Sequence, residues 1–247
     1  MKKTFVISFQ KSGTYLISEI LENLGYNKTL IHIDRFLRNV HQVYKEKKNK
    51  TGEINFKRFD FEKSPDKIIH ELSDNKFAAG HVFFSAKAKE ILKNHKIILT
   101  KRNIKTSLLS MMNFLEDKQR MTEIDLTTWY FKTDQREKFY NFLKLRGIGF
   151  ISNCDSILPW IYEDLLIIKF ENINDSSQNI NEIKKISNYL NIKTENYKNI
   201  LKRSFEKNTV TKSSKKLDLN NYWSQSAEDL FDSIGGNALN KKLGYEE

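Results

Sequence analysis

The feature that most constrains the fold is a strand, a short loop and a helix at the start of the chain. Residues Thr4–Phe9 are β-branched or aromatic at nearly every position, without polar alternation. This pattern predicts a short strand buried on both faces, as in a parallel sheet. The loop Gln10–Thr14 follows, and apolar residues then recur at helical spacing until Gly25, which is a typical helix end.

The loop has the composition of an anion site. A helix that starts after a small-residue loop directs backbone N–H groups and the positive end of its dipole at one point. Lys11 and the hydroxyls of Ser12 and Thr14 add donors. The Walker pattern of nucleotide triphosphatases needs a Lys after its second Gly, whereas Lys11 precedes Gly13, the only glycine of the loop. The loop therefore predicts a phosphate or sulfate site and disfavours a metal-dependent ATPase.

Composition narrows the class of protein. The 247 residues suit one α/β domain, and the formal net charge of +11 favours anionic partners such as a nucleotide, an acidic glycan or nucleic acid. The single cysteine, Cys154, excludes internal disulfides and cysteine-cluster metal sites and is interpreted as a core residue. No signal peptide or span of about 20 apolar residues is found, so we expect a soluble, cytoplasmic protein without stable membrane insertion.

The loop residues KSGT are identical to the core of PKSGTTW, the 5′-phosphosulfate loop of sulfotransferases that use 3′-phosphoadenosine 5′-phosphosulfate (PAPS). The stretch therefore resembles that loop. Gln10 replaces Pro, and Leu16 replaces a Trp that stacks on adenine in many members. The resemblance implies that the cofactor is bound by the loop and the first helical residues, namely Lys11, Ser12, Gly13, Thr14 and Tyr15.

A second segment, KIILTKRNIKTSLLSMMNF, resembles the family's 3′-phosphate element, a strand followed by RNPKDVAVSYYHF. Arg102 and Ser110 have the eight-residue spacing of the Arg and Ser that hold the 3′-phosphate, while Ile104 replaces Pro. The chemistry is suitable, because Arg offers a planar fork of donors to a phosphate and a Ser two helical turns away adds a hydroxyl. The resemblance implies that Arg102 and Ser110 bind the cofactor.

His81 follows a short apolar run, a position in which a lone His is more often structural than catalytic. Many cytosolic sulfotransferases carry their catalytic His in a motif like KTHLP at a strand end, followed by a helix, a strand and an Arg. That order and the separation from His81 to Arg102 agree, although the flanking residues do not. The resemblance implies that His81 is the catalytic base. Glu19 and Asp34 are the alternatives if a carboxylate is the base.

The C-terminal third carries weaker matches. Phe205 lies in a segment that resembles one whose Phe packs on the adenine of the cofactor. Lys215 and Lys216 fall near the basic pair of a family loop that closes over the 3′-phosphate, although the glycines of that loop are missing. Trp223 corresponds to the landmark after the loop, and the LGY ending at Tyr245 resembles the tail common among bacterial members.

The resemblance implies a single α/β domain over residues 1–247, a three-layer sandwich like that of P-loop nucleotide kinases, in which helices flank a central parallel sheet. The reaction it implies moves a sulfuryl group from PAPS to an acceptor hydroxyl or amine and leaves adenosine 3′,5′-bisphosphate (PAP). Lys11 and His81 would be catalytic, without a metal. The acceptor is expected to be a glycan, a lipid or a small metabolite; its identity and the oligomeric state cannot be read from the sequence.

Two alternatives remain open at this point. One is a nucleotide-dependent phosphotransferase, against which the position of Lys11 counts, and the other is a non-catalytic basic protein that binds a nucleotide or RNA. Recognisable nucleic-acid-binding motifs are absent from the sequence, which disfavours an RNA-binding protein and predicts that nucleic acid is not a partner.

Overall fold

The structure, a computed structural model, describes residues 3–33, 72–117, 119–207 and 218–245. Its strands are β1 (Thr4–Ser8), β2 (Asn27–Ile33), β3 (Lys76–Gly80), β4 (Lys96–Lys101) and β5 (Leu166–Lys169). Its helices are α1 (Thr14–Asn23), α2 (Ala86–Leu92), α3 (Ile104–Asp117), α4 (Glu123–Asp125), α5 (Gln135–Ile157), α6 (Phe170–Asn174), α7 (Asn179–Tyr189), α8 (Tyr197–Glu206), α9 (Gln225–Ser233) and α10 (Gly236–Lys242). A π-helical turn over Leu126–Tyr130 continues α4, and 3₁₀ turns span Leu158–Tyr162 and Leu219–Asn221.

The strands form one sheet in the order β2-β3-β1-β4-β5. Strand β1 pairs in parallel with both β3 and β4, and β2 pairs in parallel with β3. All residues of β1 are buried, as its lack of polar alternation predicts. The strand ends at Ser8, Gly80 and Thr100 consequently lie side by side at the carboxyl edge, which is where open parallel sheets bind ligands.

The chain divides into two compact units. The first, here called the sheet unit, comprises Met1–Ser8, Gly13–Thr100 and Trp160–Lys207. The second, the helical unit, comprises Phe9–Ser12, Lys101–Pro159 and Asn208–Glu247, and contains α3, α4, α5, α9 and α10. A single domain over residues 1–247 stays a prediction.

The core of the sheet unit forms where helices pack against the sheet. Helix α1 contributes Ile17 and Ile20, and α7 contributes Ile183, to a cluster that includes Val6 of β1 and Ile98 of β4. All five side chains are at most 1% exposed. Each such burial stabilises the fold by about 1.5–3 kcal/mol, so this cluster holds α1, and with it the start of the predicted anion site, against the sheet.

In the helical unit, a buried carboxylate joins α4 to α5. Asp125 is fully buried, and its Oδ1 accepts hydrogen bonds from the indole N–H of Trp129 and from Nε of Arg146, both at 2.9 Å. Burial alone raises the pKa of Asp125, but the hydrogen bonds from Arg146, Thr122 and Trp129 outweigh it and hold this pKa well below its usual range. The carboxylate is therefore charged and structural at neutral pH.

Across the described ranges, no helix has both the length and the apolar character to cross a membrane. The same residues contain no group of three or more His, Cys, Asp and Glu side chains that could hold a metal ion. Cys154 lies in α5 with no exposed surface, and burial raises its pKa from 9.0 to about 12. The interpretation of Cys154 as a core residue is therefore confirmed.

Candidate active site

The loop after β1 has a strained backbone. Lys11 has φ 62° and Gly13 has φ 92°, so left-handed residues flank Ser12 on both sides. For a residue with a side chain, such as Lys11, this conformation costs about 1–2 kcal/mol. Ser12 is buried, and its hydroxyl donates to the carbonyl of Phe9 at 2.7 Å, which closes the turn. Strain that is held in place in this way is common at functional sites.

Lys11 and Arg102, from the two anion-binding segments, meet directly within the helical unit. Nη1 of Arg102 donates to the carbonyl of Lys11 at 3.2 Å, and Nε of Arg102 donates to Oγ1 of Thr106 at 3.1 Å. The ammonium of Lys11 lies 4.1 Å from the ring centroid of Phe114, within the range of a cation–π interaction. Residues that are 91 positions apart in the chain are thus joined in one cationic site.

The helix that follows Arg102 starts with a regular cap. Oδ1 of Asn103 accepts the backbone N–H of Lys105 at 2.9 Å, which satisfies one of the donors at the start of α3. The side chain of Lys105 forms an ion pair with Glu228 at 2.8 Å. Ser110 lies two turns along α3 and is half-buried. The charge of Lys105 is therefore paired within the protein. Arg102 and Ser110 stay the predicted 3′-phosphate pair.

In the sheet unit, Gly13 precedes the first turn of α1. The first helical hydrogen bond runs from the N–H of Ile17 to the carbonyl of Gly13 at 3.1 Å, and the first turn contains no acidic residue. The dipole of α1 is thus left to attract an anion. A Cβ at Gly13 would lie 2.4 Å from Cδ2 of Phe170, which excludes any larger residue without a shift. The sequence alone assigns Phe170 no role in the site, and its position directly after strand β5 is the signal that could have identified it.

His81 follows β3 and contacts the end of β1. Its Nδ1 lies 2.8 Å from the carbonyl oxygen of Ser8. A carbonyl can only accept, so Nδ1 carries the proton and Nε2 carries the lone pair in the neutral ring. The hydroxyl of Ser8 is 3.2 Å from the same Nδ1 and 2.6 Å from Oγ1 of Thr14. The tautomer that suits a general base at Nε2 is therefore set by the end of β1.

The loop hydroxyls bond within the protein. That of Ser12 donates to Phe9, and that of Thr14 is shared with Ser8. These bonds hold the loop in shape. Donation from Ser12 and Thr14 to a cofactor stays a prediction.

The remaining predicted site residues are more dispersed. Tyr15 stacks on His32 with ring centroids 5.9 Å apart. Phe205, on α8, is half-buried. It packs against the core cluster of the sheet unit, to which α1 and α7 contribute residues. Lys215 and Lys216 lie outside the described residues. Adenine packing by Phe205 and phosphate binding by the two lysines stay predictions.

The C-terminal landmarks are structural in the helical unit. The indole N–H of Trp223 donates to Oε2 of Glu228 at 2.6 Å, and its ring packs on Phe139 with centroids 5.4 Å apart. Nζ of Lys101 donates to the carbonyl of Leu243 at 2.6 Å and so ties the LGY ending to the end of β4.

The carboxylate alternative for the base, Glu19, is engaged in ion pairs. It is buried in α1 and lies 2.7 Å from both Lys28 and Lys207. Burial raises the pKa of Glu19, but the hydrogen bonds from Lys207 and Lys28 together outweigh this effect. The pKa therefore falls below its ordinary value. Asp34, the other alternative, lies outside the described residues.

Comparison with known proteins identifies the family. The model of the sulfotransferase domain matches residues 1–237. None of the curated proteins matches the chain. A solved structure of mouse sulfotransferase SULT7A1 complexed with PAP is 18% identical, covers 99% of this chain and 85% of its own, and has a TM-score of 0.64.

Two structures of retinol dehydratase are also similar. One, in complex with retinol and PAP, has 13% identity, a TM-score of 0.53 and coverage of 98% and 80% of the two chains. The other, with androsterone and inactive cofactor PAP, has 14% identity, a TM-score of 0.50 and coverage of 98% and 70%. At these identities the likeness is one of fold, and it confirms the predicted α/β class. Because the family model spans nearly the whole sequence, the chain belongs to the sulfotransferase domain family, and its activity is sulfuryl transfer.

Proposed function

We propose that this enzyme takes the sulfuryl group from PAPS and passes it to an acceptor hydroxyl, releasing PAP. The observation that carries the proposal is the hydrogen bond from Arg102 to the carbonyl of Lys11. A donor with phosphates at both the 5′ and the 3′ position needs two anion sites held at a fixed separation. The loop containing Lys11 is the site for the 5′-phosphosulfate, and Arg102 with Ser110 is the site for the 3′-phosphate.

The residues fit this donor. The start of α1 presents backbone N–H groups without an acidic neighbour in its first turn, and the loop that leads to it contains Lys11. An anion gains both from the helix dipole and from the ammonium. The presence of PAP in the three similar sulfotransferase-fold structures supports the choice of donor.

Two side chains carry the chemistry in this proposal. His81 removes the acceptor proton at Nε2, because its Nδ1 proton is held by the carbonyl of Ser8. The ammonium of Lys11 stabilises the negative charge that develops on the oxygen between sulfur and the 5′-phosphate as that bond breaks. The acceptor oxygen forms the new bond to sulfur, so the products are the sulfated acceptor, PAP and a proton on His81.

The acceptor is proposed to be an alcohol. Retinol and androsterone, which occupy the two retinol dehydratase structures, both carry a hydroxyl group. A glycan, a lipid alcohol and a small hydroxylated metabolite present the same group, and an amine is the second acceptor class. A screen with radiolabelled PAPS against one representative of each class identifies the acceptor.

The donor site is tested by calorimetric titration with PAP, AMP and ATP. We expect PAP to bind in the micromolar range, about −8 kcal/mol, and at least roughly tenfold more tightly than AMP, because AMP lacks the group that Arg102 holds. Lys11→Ala should weaken PAP binding. Lys144→Ala, which removes an exposed charge from α5 in the same unit, is the matched control and should bind PAP normally. ATP binding tighter than PAP binding would contradict the proposal and favour a phosphotransferase.

Turnover separates the two catalytic roles. His81→Ala should lower kcat by roughly 10²-fold to 10⁴-fold, as for a positioned general base, and leave PAP affinity almost unchanged. Lys11→Ala should lower both kcat and PAP affinity. Near-normal turnover of His81→Ala would exclude His81 as the base.

A further inference from the structure

Three aromatic side chains of the sheet unit form a continuous row. The ring of Tyr15, in the first turn of α1, stacks on that of His32 with centroids 5.9 Å apart and an angle of 13° between the planes. The ring of His32 in turn meets that of His81 edge to face, with centroids 5.4 Å apart and an angle of 72°. His32 therefore lies between His81, the proposed base, and Tyr15, a predicted cofactor-binding residue.

The backbone places His32 there through a close approach of β2 to β3. A Cβ on Gly80 would lie 2.2 Å from the carbonyl oxygen of Ile33, so only glycine allows this separation. The N–H of His81 donates to the same carbonyl at 3.0 Å. The pairing of β2 with β3 also shifts register between Lys28 and His32, and such irregularities often re-aim a side chain beside an active site.

The aromatic row restricts rotation of the His81 ring, because His32 contacts a part of the ring that Ser8 does not bind. The bond from Nδ1 to the carbonyl of Ser8 fixes the position of one nitrogen, but this bond does not by itself fix the plane of the ring. The edge-to-face contact with His32 opposes that rotation. A general base works only when its lone pair is aimed at the acceptor proton, so an error in the ring plane lowers turnover more than it lowers binding.

We propose that His32 is a positioning residue for His81 and that its stack on Tyr15 links the base to the first turn of α1. This inference rests on the proposed role of His81 in sulfuryl transfer. In this proposal the flat ring of His32 positions His81, and the protonation state of His32 plays no part. The amino-acid sequence alone does not identify His32, because neither the register shift in β2 nor the ring contacts can be read from it.

The test compares kcat and KM for PAPS in four variants. His32→Ala should lower kcat by roughly tenfold to a hundredfold, with little change in KM for PAPS or in PAP affinity. His32→Phe should recover most of the lost kcat, because Phe keeps a flat ring without a titrating group. His32→Leu, which keeps apolar volume without a flat ring, should be as slow as His32→Ala and replaces it if that variant does not fold.

The fourth variant combines His32→Ala with His81→Ala. Because His32 is expected to act only through His81, its loss should cause no additional decrease in kcat once His81 is absent. An equal loss in both backgrounds, or Phe and Leu variants of equal kcat, would overturn the proposal for His32 and leave sulfuryl transfer intact. Full turnover of His81→Ala alone would instead overturn the base assignment, and the role of His32 with it. PAP binding, measured in every variant, reports on the donor site separately.

Discussion

Gly13→Ala tests how the anion-binding loop is built. Gly13 has φ +92°, and an added Cβ would lie 2.4 Å from Cδ2 and 2.8 Å from Cε2 of Phe170. The left-handed backbone costs a residue with a Cβ about 1–2 kcal/mol. Displacement of the Phe170 ring adds the cost of overpacking, about 1–3 kcal/mol. The free energy of unfolding should therefore fall by about 2–5 kcal/mol.

Thermal unfolding is a suitable assay for this change. At about 2–4 °C per kcal/mol for a chain of this size, Tm should fall by roughly 4–20 °C. Gly235→Ala is the matched control, because Gly235 has φ +84° but no atom within 4 Å of the added Cβ. Gly235→Ala should lower the free energy of unfolding only by the backbone cost of about 1–2 kcal/mol. It should keep normal PAP affinity, whereas Gly13→Ala should lose PAP affinity.

A double-mutant cycle isolates the contact with Phe170. Phe170→Ala removes the ring that the new methyl group would meet, so Gly13→Ala should cost about 1–3 kcal/mol less in that background. Equal losses of Tm for Gly13→Ala and Gly235→Ala would show that the contact with Phe170 is not what requires a glycine in the loop.

Three further predictions use other parts of the chain. Arg102→Ala should remove most of the preference for PAP over AMP in titration calorimetry, since the guanidinium is the proposed 3′-phosphate ligand; a preference equal to the wild type would contradict this. In helix α5, Gly149→Ala should raise stability by about 1 kcal/mol, because nothing lies within 4 Å of the added Cβ, whereas Gly147→Ala should not, because its Cβ would lie 2.8 Å from Ile234; urea unfolding of both variants measures the difference. Burial raises the pKa of Cys154 from 9.0 to about 12, so between those values the unfolded chain loses a proton that the folded chain keeps. Stability should fall by at most about 1.4 kcal/mol per pH unit above pH 9, and Cys154→Ala should remove this part of the pH dependence.

The sequence predicted the structural elements around the candidate site that local chemistry determines. A buried strand followed by a helix start produces a recognisable pattern within about 20 residues. The apolar run of β1 and the small-residue loop with Lys11 could therefore be predicted. The pair of Arg102 and Ser110 is identified through its resemblance to the family's 3′-phosphate element, and its role stays a prediction. The bond between Arg102 and the carbonyl of Lys11 could not be predicted, since it joins segments that only the fold brings together.

Two site features depend on strand register and therefore leave no local signal. Ser8 reads as one polar residue in an apolar strand, yet its carbonyl sets the tautomer of His81. Gly80 reads as a strand end, yet the absence of a side chain lets the carbonyl of Ile33 approach β3. Which atoms of two strands meet is decided by pairing, and one residue of slip would exchange the faces.

The surroundings of Glu19 help to choose between a histidine and a carboxylate as the base. A general base that works near neutral pH needs a pKa near the operating pH, which for a carboxyl group requires burial without a compensating cation. Glu19 is 2% exposed but lies 2.7 Å from both Lys28 and Lys207, and its pKa falls below its ordinary value. Replacing Glu19 by Gln would remove the carboxylate that Lys28 and Lys207 share and leave Glu22 as their common partner, so Glu19→Gln should lower the free energy of unfolding while kcat of the folded fraction stays near wild type. A loss of kcat at unchanged Tm would instead return Glu19 to the list of candidate bases and weaken the assignment of His81.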